Sequence, residues 1–63
     1  MKFIEVNTVE GKRVLLNVGH ITDIIEETNH CDIFLTNPEA HYSIKESCEE
    51  IKKKLRYVFA GIG

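Results

Sequence analysis

The segment Asn29-His30-Cys31-Asp32 places an amide, an imidazole, a thiol and a carboxylate on consecutive residues. A thiolate nucleophile activated by a histidine uses side chains of these types. The first ligands of a zinc site are also side chains of these types. A nucleophile and its base must come within about 2.6 to 3.2 Å of each other, with a third group orienting the base. Because consecutive side chains of an extended chain point to opposite sides, this segment cannot assemble such a site alone.

A zinc site in this chain would need ligands from other segments. Zinc takes about four ligands, commonly as two close-spaced pairs. The chain contains neither a C-x-x-C nor an H-x-x-x-H spacing. His41 and Cys48 could complete a site with His30 and Cys31, but nothing in their spacing requires it. The sequence therefore predicts a polar connection between strands here, with no catalytic residue, no metal and no cofactor.

The second cysteine, Cys48, lies where a helix is predicted to begin, and a helix dipole would stabilise its thiolate. Cys48 also lies on the apolar stripe of that helix, and free cysteine often packs as a small buried hydrophobic residue. We therefore expect it to belong to the core. The chain starts Met1-Lys2-Phe3 with no apolar run ahead of a small-residue cleavage site. We accordingly expect a cytoplasmic location, where thiols are kept reduced.

The elements that position these residues are indicated by hydrophobic periodicity. Alternation of period two predicts strands at 3–9 and 13–18. Further strands are predicted at 21–27, at 32–36 as a short apolar run, and at 41–44. Glu10-Gly11 predicts a tight hairpin with positive φ at the glycine. Ile24 and Ile25 cannot both face inward in a regular strand, so either a bulge intervenes or one of them lies on the other side. Asn37-Pro38-Glu39-Ala40 predicts a type I turn.

A helix follows the last strand. Ser47 and Glu50 have the spacing of a capping box, which predicts that the helix starts near Cys48. Its apolar positions recur at helical spacing, and two acid–base pairs at i, i+4 should support it, namely Glu49 with Lys53 and Glu50 with Lys54. The fold class is therefore α+β, an antiparallel β-meander of four or five strands with one C-terminal helix packed on one face, in a single small domain spanning residues 1–63.

This pattern resembles the small flagellar and swarming-motility protein family of bacteria, and similar short bacterial and phage proteins. The matching residues are the strand-Gly-strand opening at 6–16, the stretch Leu16-Asn17-Val18 leading into Ile21 and Ile24, and Lys45-Glu46-Ser47 followed by Glu49-Glu50-Ile51. The likeness covers nearly the whole chain. It implies a small accessory protein that acts through contacts, without enzymatic activity.

Composition narrows the function classes further. The chain has 63 residues, of which 43% are hydrophobic and 29% charged, as expected for a folded domain. No stretch approaches the roughly 20 apolar residues that span a bilayer, so no membrane span is expected. A core this small rarely supplies more than about 3 to 5 kcal/mol, and domains of this size usually add a disulfide, a metal or a partner.

Two surfaces are candidates for contacts. With the helix on one sheet face, a second apolar set should point the opposite way and form an interaction face, namely Phe3, Leu15, Ile25 and Phe34. We therefore expect a cytoplasmic interaction module that binds a protein partner or itself through this face or an exposed edge strand, most simply as a homo-oligomer, with no small-molecule substrate. The alternative is nucleic-acid binding through a basic patch on the helix, formed by Lys52, Lys53, Lys54 and Arg56. The net charge of −2 and the lack of a second basic cluster weigh against this alternative.

Overall fold

A computed structural model describes residues 2–60 of the chain. Five strands precede one helix, which confirms the α+β class. A single turn of 3-10 helix, η1, joins the second and third strands. The elements are β1 (Phe3–Asn7), β2 (Arg13–Asn17), η1 (Val18–His20), β3 (Ile21–Glu26), β4 (Cys31–Leu35), β5 (Ala40–Ile44) and α1 (Cys48–Phe59).

The strands form two antiparallel sheets that meet along one seam. One sheet contains β1 and β2, and the other contains β3, β4 and β5 in that order. An isolated antiparallel bridge between Thr8 and Ile44 joins the end of β1 to the end of β5. The backbone N–H of Lys45 donates to the carbonyl of Asn7 at 2.7 Å and extends this junction. The predicted meander is therefore present as a curled arrangement, open between β2 and β3.

The first hairpin forms as the sequence predicts. Gly11 has φ of 91°, a conformation that residues with a Cβ rarely adopt. Thr8 closes the loop, because its carbonyl accepts from the N–H of Gly11 at 2.9 Å. Its hydroxyl oxygen, Oγ1, also accepts from the N–H of Lys12 at 3.1 Å. These bonds satisfy the polar groups of Thr8, the one buried polar residue among those described.

Strand β3 and the turn after β4 differ in detail from the sequence predictions. The register of β3 against β4 shifts between Ile21 and Asp23, so the irregularity precedes the two isoleucines. Ile24 packs against the core while Ile25 is exposed on the other side, which is the second of the two alternatives. The prediction of a type I turn after β4 is wrong, since the Asn37-Pro38 peptide bond is cis and Asn37 has φ of 56°.

The helix begins with the predicted capping box. The N–H of Glu50 donates to Ser47 Oγ at 3.2 Å, and the N–H of Ser47 donates to Glu50 Oε1 at 3.4 Å. The predicted i, i+4 ion pairs are absent within residues 2–60. Glu49 instead lies 3.5 Å from Lys52, one helical turn away at i, i+3. Both side chains are exposed, so this exchange of partners changes stability little.

The core lies between the two sheets and the helix. The helix contacts β1 of one sheet and β3 of the other, and so covers the inner faces of both. Apolar residues from β1, β2, β4, β5 and α1 fill the space, and the largest fully buried ones are Leu16, Ile33, Ile44, Ile51 and Val6. Ile4, Val6 and Leu16 face inward, so β1 and β2 have the alternation of half-buried strands. No helix within residues 2–60 is long and apolar enough to cross a membrane.

Candidate interaction surfaces

The four residues 29–32 are divided between the loop after β3 and the start of β4. Cys31 is fully buried, whereas Asp32 lies on the outer face of the sheet. The alternation of the strand thus separates the thiol from the carboxylate beside it. His30 ends the loop and is half-buried against Asp32. The structure does not bring these neighbouring groups together as a nucleophile and its base.

The two cysteines are joined by a disulfide, with their Cα atoms 5.5 Å apart. The prediction of two free thiols is therefore wrong. Cys31 begins β4 and Cys48 begins α1, so the bond ties the helix N-terminus to the central strand of the larger sheet. The expectation that Cys48 packs in the core is confirmed, because it is 9% exposed. The sequence does not reveal this pairing, because a separation of 17 residues says nothing about which face of β4 the helix covers.

Asp32 is the centre of a polar cluster on the outer sheet face. Its Oδ1 atom lies 2.9 Å from His30 Nε2 and 3.4 Å from His41 Nε2, and it accepts a hydrogen bond from Ser43 Oγ at 3.0 Å. Ser43 is directly opposite Asp32 in the β4–β5 register. Phe34 is stacked on His41 with 4.5 Å between ring centroids. The cluster therefore cross-links β4, β5 and the loop before β4.

The pKa of Asp32 reflects these contacts. Desolvation raises it, but hydrogen bonds from Ser43 and His41 and the charges of His30 and His41 lower it more, so the pKa lies below its ordinary value of 3.8. The carboxylate is thus held ionised as an acceptor. Ser43 donates to the carboxylate rather than to an imidazole, and this order of contacts gives no activated hydroxyl.

The histidines, cysteines and acids of the described residues do not assemble into a metal site. Within residues 2–60, no group of three or more histidine, cysteine, aspartate or glutamate side chains is arranged to hold a metal ion. Near Asp32, both imidazole Nε2 atoms contact one carboxylate oxygen. The site that His30, Cys31, His41 and Cys48 could have formed is not assembled, because the sulfurs are inside and bonded to each other.

The candidate interaction face is distributed over both sheets. Phe3 and Leu15 lie on the outer face of the β1–β2 sheet and are 48% and 64% exposed. Ile25 and Phe34 lie on the outer face of the other sheet, where Ile25 is 46% exposed and Phe34 is partly covered by His41. The four residues do point away from the helix. They form two separate apolar areas, because the sheet that was predicted as one is two.

The basic residues of α1 do not form one patch. Lys52 lies beside Glu49, and Arg56 follows one turn later on the same side. Lys53 and Lys54 instead border a shallow groove between α1 and β1, whose other lining residues are Ile4, Glu5, Tyr57 and Val58. The helix thus distributes its four cations around its exposed circumference.

A contact that the sequence did not reveal fixes the segment before the helix. The Glu46 carboxylate accepts from the backbone N–H of Asn7 at 2.9 Å and from its side-chain amide at 3.2 Å. In the sequence, the stretch Lys45-Glu46-Ser47 contributes only to the family resemblance. A carboxylate directly after the last strand was the available signal, since the end of β1 has backbone donors that β2 does not use.

Comparison with known proteins adds no relative to this description. No family model matches the chain, no curated protein is similar to it, and no solved structure resembles it.

Proposed function

We propose that this chain is a small non-enzymatic accessory module that acts through protein–protein contacts, including contacts with itself. The observation that carries the proposal is the exposed apolar surface on the sheet faces that α1 leaves uncovered, above all Leu15 at 64% exposure. An isolated exposed apolar residue is common, but here Phe3 lies on the same face as Leu15, one strand away. A domain of this size also gains much from a partner.

Within residues 2–60, the side chains that could react are engaged with one another, and this supports a role without catalysis. Cys31 and Cys48 are bonded to each other, and the Asp32 carboxylate is engaged by three neighbours. The resemblance to the flagellar and swarming-motility family points to the same kind of accessory role. Loss of motility on deletion of the chain in a flagellated source would support that assignment.

A photo-crosslinking experiment tests the proposal in cells. A photoreactive phenylalanine analogue replaces Leu15 or Ile25, and matched controls carry it at Asn29 or Glu39, which are exposed in loops. We expect specific protein adducts from the two apolar positions and none from the controls. Mass spectrometry then separates adducts between two copies from adducts with another protein. If no position gives a specific adduct, the interaction role is rejected.

A second candidate, nucleic-acid binding, is favoured by Lys53, Lys54 and Tyr57 along one groove, where an aromatic ring is available for stacking on a base. It predicts binding to a single-stranded oligonucleotide that weakens steeply with salt. The double substitution Lys53→Glu with Lys54→Glu should abolish that binding, while Lys52→Glu with Arg56→Glu should reduce it less. Fluorescence anisotropy that stays flat at low salt rejects this function.

The location that belongs to this proposal is the cytoplasm. The Cys31–Cys48 disulfide argues against this location, because the cytosol keeps thiols reduced. Rapid acid quenching of cells, followed by alkylation and mass measurement, reports the state of the pair. Mostly alkylated cysteines support a reducing compartment, and unmodified cysteines speak against it.

A further inference from the structure

Two strands of the protein are paired on one side only. Within the described residues, β2 pairs with β1 and β3 pairs with β4, and neither has a strand on its other side. The free edge of a sheet carries unpaired N–H and C=O groups, which can bind another strand. The curled arrangement is open between these two edges, so each is a potential docking site.

The hydrogen bonds of the first hairpin determine which residues of β2 face outward. The N–H of Thr8 donates to the carbonyl of Lys12 at 2.7 Å, and the N–H of Val18 donates to the carbonyl of Lys2 at 2.9 Å. In an antiparallel pair such bonded positions alternate with non-bonded ones. The even-numbered residues of β2 therefore bond to β1. The odd-numbered ones direct their backbone groups to the free edge, namely Arg13, Leu15 and Asn17.

The edges differ in how well they are protected. On β3, the register shift after Ile21 breaks the regular spacing, and Asp23 and Glu26 add exposed acids. Bulges and charges are the usual devices that keep an edge from pairing. The register of β2 is unbroken, its single charge is Arg13, and its centre is the exposed Leu15. The structure thus blocks one edge and leaves the other available.

We infer that the β2 edge binds the β2 edge of a second copy of this chain, antiparallel about a two-fold axis at Leu15. This inference rests on the proposed function and names its partner. The outward groups are symmetric about Leu15, so two copies match each other without a shift. Leu15 then bonds with Leu15 of the second copy, and Arg13 bonds with Asn17 in both directions. About six main-chain hydrogen bonds result, with no outward group of β2 left unpaired.

The side chains on this pairing are compatible as well. The two Leu15 side chains meet on the outer face, and each Arg13 lies opposite Asn17, so no like charges are opposed. Val14 and Leu16 of the two copies are adjacent on the inner face. The same arrangement on β3 would be centred on Ile24 and would place Glu26 of each copy opposite Thr22, where the register shift after Ile21 interrupts the edge. The β2 edge is therefore better suited to two-fold pairing than the β3 edge.

Substitution by proline tests the edge directly, since proline lacks the N–H that the pairing requires. The Leu15 N–H points away from β1, so Leu15→Pro keeps the bonds of the hairpin. The matched control is Glu26→Pro on β3, whose N–H also faces outward because the neighbouring Glu27 bonds to His30. We expect light scattering at high micromolar concentration to give a dimer for the natural chain and for Glu26→Pro, and a monomer for Leu15→Pro.

A register-specific cross-link covers the case in which Leu15→Pro fails to fold. With mild diamide as the oxidant, Leu15→Cys should form a disulfide between copies, as its thiol meets its own symmetry mate. Arg13→Cys alone should not, whereas Arg13→Cys combined with Asn17→Cys should.

A monomeric natural chain overturns the inference. A dimer that survives Leu15→Pro but dissociates on Ile25→Lys also overturns it, yet leaves the proposed function standing. If the analogue at Leu15 forms adducts with a different protein in cells, that protein and not a second copy binds the β2 edge, and the inference is overturned.

Discussion

At the scale of single residues, Asp32 shows how a side chain that looked catalytic acts structurally. Its oxygen contacts two histidines and a serine, and its pKa is lowered. A group with a lowered pKa in the folded state adds stability at pH above its ordinary value of 3.8 and loses it as pH falls toward the folded value. The contribution of Asp32 should therefore disappear in acid.

We expect Asp32→Asn to be less stable than the natural chain near neutral pH and nearly equal to it in strong acid. Thermal unfolding followed by circular dichroism from about pH 7 down to about pH 2 checks this. Asp23→Asn is the control, because Asp23 is an exposed acid on the neighbouring strand. A stability gap for Asp32→Asn that is independent of pH would show that the ionised form has no special role.

The helix cap offers a second prediction at this scale. Ser47→Ala removes the acceptor for the Glu50 N–H, which should cost about 1 kcal/mol of unfolding free energy. Ser47→Asp retains an acceptor and should stay within about 0.5 kcal/mol of the natural chain. Urea titrations of the three proteins give the comparison. Equal midpoints for Ala and Asp at position 47 would mean that the capping box does not stabilise α1.

At the scale of elements, local patterns predicted what local physics determines. The alternation in β1, the positive φ of Gly11 and the capping box at Ser47 each depend on a few consecutive residues, and each forms as predicted. The division into two sheets and the Asp32 cluster depend on which strands meet in space. The strands of the two sheets are joined only by the bridge between Thr8 and Ile44 among the described residues, and no periodicity in the sequence specifies where that bridge forms.

The disulfide is the strongest long-range tie between elements. It closes a loop with a sequence separation of 17 between β4 and α1. In the chain-entropy account, a loop of that size stabilises the folded state by about 3 kcal/mol. Reduction should therefore lower the urea midpoint of the natural chain by a corresponding amount. The double variant Cys31→Ala with Cys48→Ala should be insensitive to reductant, and a natural chain equally insensitive would show that the bond adds nothing to stability.

At the scale of the whole molecule, a small core and an open edge belong together. The Cα radius of gyration is 11.0 Å, and ten hydrophobic residues are buried among those described. Such a core leaves a stability margin of only a few kcal/mol. A second copy on β2 would bury Leu15 and pair the outward backbone groups, so folding and association would become coupled.

Coupling of this kind makes stability depend on protein concentration. Binding to a folded partner stabilises by RT ln(1 + [L]/Kd), so the unfolding midpoint of a dimer rises as the chain becomes more concentrated. We expect this rise for the natural chain over a hundredfold range of concentration, measured by scanning calorimetry and fluorescence. Leu15→Lys should remove it, because two lysines would then face each other across the two-fold axis. Ile25→Lys places the same charge on the other sheet and should leave the rise intact. A midpoint that is constant for the natural chain would show that the domain is stable alone and that the β2 edge stays unpaired.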